Sequence, residues 1–150
     1  KVLPSNSDRK VPTIFDYRTH IQNQSLYHTV PTFPVYVALL MLRWIKAEGG
    51  LDEMQKRSIA KSELLYTEID RNPLFEGIAV KEDRSVLNAC FRAISPEIEI
   101  QFLAHCSKNN VVGIKGFPTV GGFRASMYNG MNIESVELLV DLMKNFKPEL

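Results

Sequence analysis

Apolar residues recur at helical spacing through TFPVYVALLMLRWIKAEGG, residues 32–50, with Pro34 where a first turn tolerates it and Gly49-Gly50 as a stop. A helix is predicted there. A second is expected over residues 51–71, with Leu51, Met54, Ile59, Leu64, Leu65 and Ile69 on its apolar positions and Asn72-Pro73 ending it. The period then changes. GIAV (77–80) and SVLNACF (85–91) read as an antiparallel pair of strands joined by the charged turn KEDR. Ser95-Pro96 opens a helix to about residue 107, with Ile98, Phe102, Leu103 and Cys106 as its inner face. VVGI (111–114) reads as a short strand. Asn132 stands at the start of a last helix, in which Val136, Leu139, Val140 and Met143 repeat at three- and four-residue intervals until Pro148.

The first 31 residues are polar, with one strand-like stretch at 11–17, and read as a connector or the end of something larger. Residues 32–150 read as one domain. The expected fold class is α+β, a two-layer sandwich-like arrangement in which a small, mainly antiparallel sheet is covered on one face by helices.

Composition narrows this picture. Of 150 residues, 45% are hydrophobic and 23% charged, enough apolar content for a real core. Eighteen basic against seventeen acidic residues leave a net charge of +1, so no field is available to hold nucleic acid or an acidic lipid surface. The longest apolar run, 35–42, is far too short for a membrane span, and the N-terminal stretch has no secretory h-region. Cys90 and Cys106 lack CxxC spacing and sit among apolar neighbours, which fits reduced thiols in a cytoplasmic protein. His105 and Cys106 are adjacent, so a helix points them in different directions and core packing accounts for them better than thiol catalysis. The histidines have no metal-ligand spacing.

The candidate chemistry lies in KGFPTVGGFRASMYNG, 115–130. On a strand, Phe123, Ala125 and Met127 share one face and Arg124, Ser126 and Tyr128 the other. The apolar face must meet the helices, so Arg124 projects away from them, beside a backbone that Gly121 and Gly122 leave bare for a close approach. A guanidinium there suits a carboxylate, which it binds through a planar fork. The plain reading of such an arginine is a solvated side chain or a partner of a nearby Asp or Glu.

VGGFRASMYNGM, read with NVVGIKG before it and ESVELLVDLMKNF after it, resembles the C-terminal end of the phosphoserine aminotransferases, pyridoxal-phosphate enzymes of serine synthesis. SLYHTVPTFPVYVALLMLRWIKAEGGLDEM is similar to the N-T-P-P-T segment and long helix of that family, and KSELLYTEID and EDRSVLNACF follow in the same order. The resemblance implies the C-terminal small domain of a fold-type I transferase, with residues 1–31 closing the large cofactor domain. It implies that Arg124 binds the substrate α-carboxylate. It also implies that His28 and Thr29 reach the phosphate of the pyridoxal phosphate held by a partner subunit, in a homodimer whose substrate is a small amino acid.

Two departures qualify the expectation. The family reads G-H-R-x-V-G-G-x-R-A-S, its His and Arg helping to hold the substrate phosphate, whereas this chain has Gly116-Phe117-Pro118-Thr119-Val120, without cation or side-chain donor at those two positions. Lys115 is the candidate to compensate. Secondly, none of the ten lysines lies in a context resembling the Schiff-base motif, so the chain alone is expected to be inactive and to bind no cofactor covalently, the missing N-terminal large domain being its partner. The alternative is a free-standing α+β module that binds a carboxylate or dimerises without catalysis.

Overall fold

The computed structural model describes residues 11–149. The chain divides into two compact units, one ending at Trp44 and the other starting at Ile45. Residues 1–10, part of the expected connector, lie outside the described residues.

The first unit holds no strand among its described residues. The strand-like stretch at 11–17 is instead a 3-10 turn, Thr13–Phe15, running into α1, Tyr17–Gln22. Local chemistry explains the correction: Asp16 caps α1 by accepting from the Arg18 N–H at 3.0 Å, and pairs with the Arg18 guanidinium at 2.9 Å. An Asp side chain that bonds backbone two residues on favours a helix start over an extended ladder. Helix α2, Thr32–Ala47, follows as predicted, and none of its residues is buried.

The second unit takes in the last residues of α2 and then α3, Gly50–Arg71. Among the described residues its sheet has three strands, β1 (Phe75–Gly77), β2 (Asn88–Ala93) and β3 (Phe123–Ser126), ordered β1-β2-β3 and antiparallel throughout. Helix α4, Pro96–Lys108, lies between β2 and β3 in sequence, and α5, Ile133–Asn145, ends the fold. The strand pair predicted at 77–80 and 85–91 forms two residues earlier and three later respectively. KEDR does not make a hairpin turn: Lys81–Asp83 is a 3-10 turn within a longer loop. VVGI is not a strand either. Its continuation touches β3 through a single antiparallel bridge, Lys115 to Phe123.

The core sits between the sheet and the helices. Phe75, Phe91, Phe102 and Phe123 meet edge to face or tilted, with ring centroids 4.8–6.1 Å apart. Such contacts add to the area they bury. Phe102 and Cys106 face inward from α4, and Val136, Leu139, Val140 and Met143 from α5, as their spacing requires. Burial pushes the Cys106 thiol up to about 11, so it is an inert core residue. The inner face of α3 differs from the expected one. Leu51 is exposed, while Met54, Ser58, Lys61, Leu65, Glu68 and Ile69 are buried.

Candidate functional site

Alternation along β3 sets the site. Phe123 and Ala125 are buried, and Arg124 between them is exposed on the opposite face, directly across from Cys90 of β2. The Arg124 N–H donates to the Ile114 carbonyl at 2.7 Å, and the Gly116 N–H to the Gly122 carbonyl at 2.7 Å, closing the neck of the 116–122 loop.

The glycines of that loop serve the fold more than the sequence suggested. A Cβ on Gly116 would overlap the Gly121 carbonyl. Gly122 has φ +62°, and a Cβ there would come within 2.5 Å of the Phe91 carbonyl. The close approach at Gly122 is thus made by β2 itself. Gly121, with φ +73° and open space around it, keeps the bare backbone expected of both.

Ion pairs occupy most of the arginines of the described residues but neither Arg43, on α2, nor Arg124. Arg18, Arg57, Arg71, Arg84 and Arg92 each pair with an Asp or Glu. No carboxylate reaches Arg124 among the described residues. Its guanidinium carbon instead lies 5.8 Å from the centre of the Phe117 ring. An aromatic face steers a guanidinium without neutralising it, so the fork remains available to an anion. A cavity of about 410 Å³ lies between residues 110–114 and α5, with Arg124 and Ser126 in its wall and Ile114, Met127 and Leu139 among its apolar lining.

The structure brings Lys115 and Arg124 into one loop and strand, on successive rungs: Lys115 lies across from Phe123 and is exposed. His28 and Thr29 belong to the other unit, between α1 and α2, and both are exposed. The His28 ring meets His20 edge-on at 6.0 Å, and His20 Nε2 bonds the Ile14 carbonyl at 2.7 Å. Among the described residues no hydrogen bond occupies the His28 or Thr29 side chains.

Two polar constellations escaped sequence reasoning. Asp70 of α3 takes both arms of Arg84 at 2.9 and 2.7 Å, and Arg84 stacks 4.5 Å over Tyr66. The Arg84 hydrogen bonds hold the Asp70 carboxyl below its ordinary range. The other is Lys61, 2% exposed, whose Nζ donates to the Tyr128 and Met131 carbonyls at 2.8 and 3.0 Å. The one signal for it was its position: seven residues after Met54 and four before Leu65, it lies on the apolar stripe.

A small α+β body with a three-stranded antiparallel sheet covered by helices is the architecture of the C-terminal small domain of fold-type I pyridoxal-phosphate transferases. The chain belongs to the class-V aminotransferase family, whose description matches residues 2–139. It is 51% identical over 142 residues to the phosphoserine aminotransferase of Bacteroides thetaiotaomicron, covering 93% of this chain and 40% of that protein. It is 50% identical over 144 residues to that of Flavobacterium johnsoniae, covering 96% of this chain and 40% of the relative. Among solved structures, phosphoserine aminotransferase from Bacillus circulans subsp. alkalophilus superposes with TM-score 0.83 at 38% identity, over 89% of this chain and 37% of that one. The pyridoxal-phosphate-bound enzyme from Trichomonas vaginalis gives 0.81 at 35% identity, over 90% and 39%. A cystine C-S lyase shares the fold, with TM-score 0.62 at 17% identity. The chain thus spans about two fifths of the length of the curated relatives it matches.

Proposed function

We propose that this chain is the C-terminal part of a phosphoserine aminotransferase, a homodimeric cytoplasmic enzyme that moves an amino group between phosphoserine or a related amino acid and a keto acid. In this reading residues 1–31 close the large cofactor domain and 32–150 form the small domain. The observation that carries it is Arg124: a guanidinium on the outer sheet face, without an acid partner among the described residues and steered by Phe117. Arg124 holds the α-carboxylate of the substrate through two charged hydrogen bonds. Lys115 attracts the substrate phosphate in place of the side-chain donors that Phe117 and Pro118 lack. His28 and Thr29 donate to the cofactor phosphate bound by the partner subunit.

Pyridoxal phosphate, when bound, supplies the electron sink for amino transfer. The residues present suit its phosphate. They do not offer its imine partner: the buried lysine, Lys61, spends its Nζ on two carbonyls. That step belongs to a part of the protein outside this chain. Helix α2 also supports a larger body. It is apolar around its circumference, yet Phe33, Val35, Tyr36, Leu40 and Leu42 are all exposed, and a helix of this kind is built to be covered.

The test is a chimera in which this chain replaces the matching C-terminal segment of the B. thetaiotaomicron relative. Turnover of phosphoserine with pyridoxal phosphate present is expected. Arg124→Ala should lower kcat/KM roughly a hundredfold or more, since charged hydrogen bonds contribute about 1.5–3 kcal/mol each. Lys115→Ala should raise the KM for phosphoserine and leave that for an unphosphorylated donor unchanged. An active chimera indifferent to Arg124→Ala would remove the carboxylate role, and an equal effect of Lys115→Ala on both donors would remove the phosphate role.

A further inference from the structure

Helix α3 carries a lysine where its buried stripe would ordinarily hold a leucine. Lys61 has no carboxylate partner among the described residues. Burial, with Arg57 one turn earlier, holds its pKa below the usual lysine value. A buried ammonium without a counter-charge is expensive, and an apolar residue of the same length would avoid the cost. Something must offset it.

The offset is a turn. Met131 N–H donates to the Tyr128 carbonyl at 2.9 Å, and the Lys61 ammonium bonds both the Tyr128 and Met131 carbonyls from beneath. Ser58, one turn earlier on α3, donates to Asn129 Oδ1 at 3.3 Å. Three atoms of the turn are thereby held by one helix. Without the ammonium, the Met131 carbonyl would lose the lysine donor and the Tyr128 carbonyl would keep only the Met131 N–H.

This turn directly follows the strand that carries Arg124. Met127 N–H is tied to the Leu87 carbonyl at 2.7 Å, and the other end of β3 is held by the Gly116–Gly122 neck and the Arg124–Ile114 bond. The strand is fixed at its start by its own loop and at its finish by Lys61. We propose that Lys61 is a positioning residue for Arg124: its ammonium locks the 128–131 turn, which sets β3 in place, so the guanidinium meets its carboxylate already oriented. The functional part of this inference rests on the reading of Arg124 given above. Preorganisation of this kind lowers the ordering cost of binding.

The experiment has two readouts. In the 150-residue chain, amide exchange is followed by NMR at Arg124 on β3, at Met127 just after it, and at Ile78, whose N–H bonds the Cys90 carbonyl on the far side of β2. Lys61→Met should speed Arg124 and Met127 about tenfold relative to Ile78, whereas Ile69→Ala, a core truncation on the same helix, should speed all three alike. In the chimera, Lys61→Met should raise the KM for the amino-acid donor about fivefold with kcat within about twofold, and Ile69→Ala should leave KM unchanged. Should Lys61→Met fail to fold, Ser58→Ala takes its place, with the same selectivity at about threefold. Uniform acceleration in the lysine variant, or selective loosening with unchanged KM, overturns the proposal. An inactive wild-type chimera would instead count against the carboxylate-clamp reading, while the exchange ratio would still decide whether Lys61 holds β3.

Discussion

Arg84 and Arg124 carry the same side chain and do opposite work, because of what stands within reach of each. Arg84 is closed on both arms by Asp70 and roofed by Tyr66, so it pins the 81–86 loop to α3. Arg124 has the Phe117 ring beside its guanidinium and, among the described residues, no carboxylate within reach. The first pair has a pH signature. Because Arg84 lowers the Asp70 pKa in the folded state, the pair's contribution is fully present above the unfolded aspartate value near 3.8 and is lost as pH falls through the lower folded value. Asp70→Asn should therefore destabilise the protein at pH 7 by no more than about 1 kcal/mol, the pair being partly exposed, and the difference from wild type should shrink toward zero as pH falls through that lowered value. Urea unfolding across pH 2–7 measures it. A difference that grew in acid would show that Asp70 gains nothing from being ionised.

At the scale of elements, β3 and its loop show why glycine spacing misleads when read for ligands alone. Gly121-Gly122 looked like a bare approach beside a binding arginine, and one of the two is occupied by the fold's own backbone. Gly122→Ala combines a left-handed φ with a clash against the Phe91 carbonyl, and is expected to cost at least about 2 kcal/mol, seen as a lower urea midpoint at unchanged slope. A cost below about 0.5 kcal/mol would mean that the strand pair yields there easily. The helices were legible because burial on one face writes a 3.6-residue period into α4 and α5. The strands were less so: β1 and β3 are three and four residues long, too short for alternation to fix their ends. In α3 the period placed Met54, Leu65 and Ile69 on the inner face correctly but missed Ser58, Lys61 and Glu68 and counted Leu51 as inside. Polar residues placed inside are chosen by partners distant in sequence, and periodicity has no access to those.

At the scale of the whole molecule, the proposed reading gives the chain a substrate arginine, Arg124, and two cofactor-phosphate donors, His28 and Thr29, and leaves the imine-forming lysine to a part of the protein outside these residues. Incubation with pyridoxal phosphate, borohydride reduction and peptide mapping should therefore yield no specific modified lysine and no turnover. A single reproducible site with activity would overturn this. The sequence alone determined the α+β class, the helix set of the second unit, the outward face of Arg124 and the resemblance to phosphoserine aminotransferases, because these follow from local periodicity and contiguous motifs. Only the tertiary structure decided that no acid of the described residues reaches Arg124, that Gly122 is filled by β2, and that a buried lysine clamps the turn after the arginine's strand. Each of these is a contact between residues far apart in the chain, Lys61 with Tyr128 and Gly122 with Phe91, and a contact exists only once folding has brought both partners to one place.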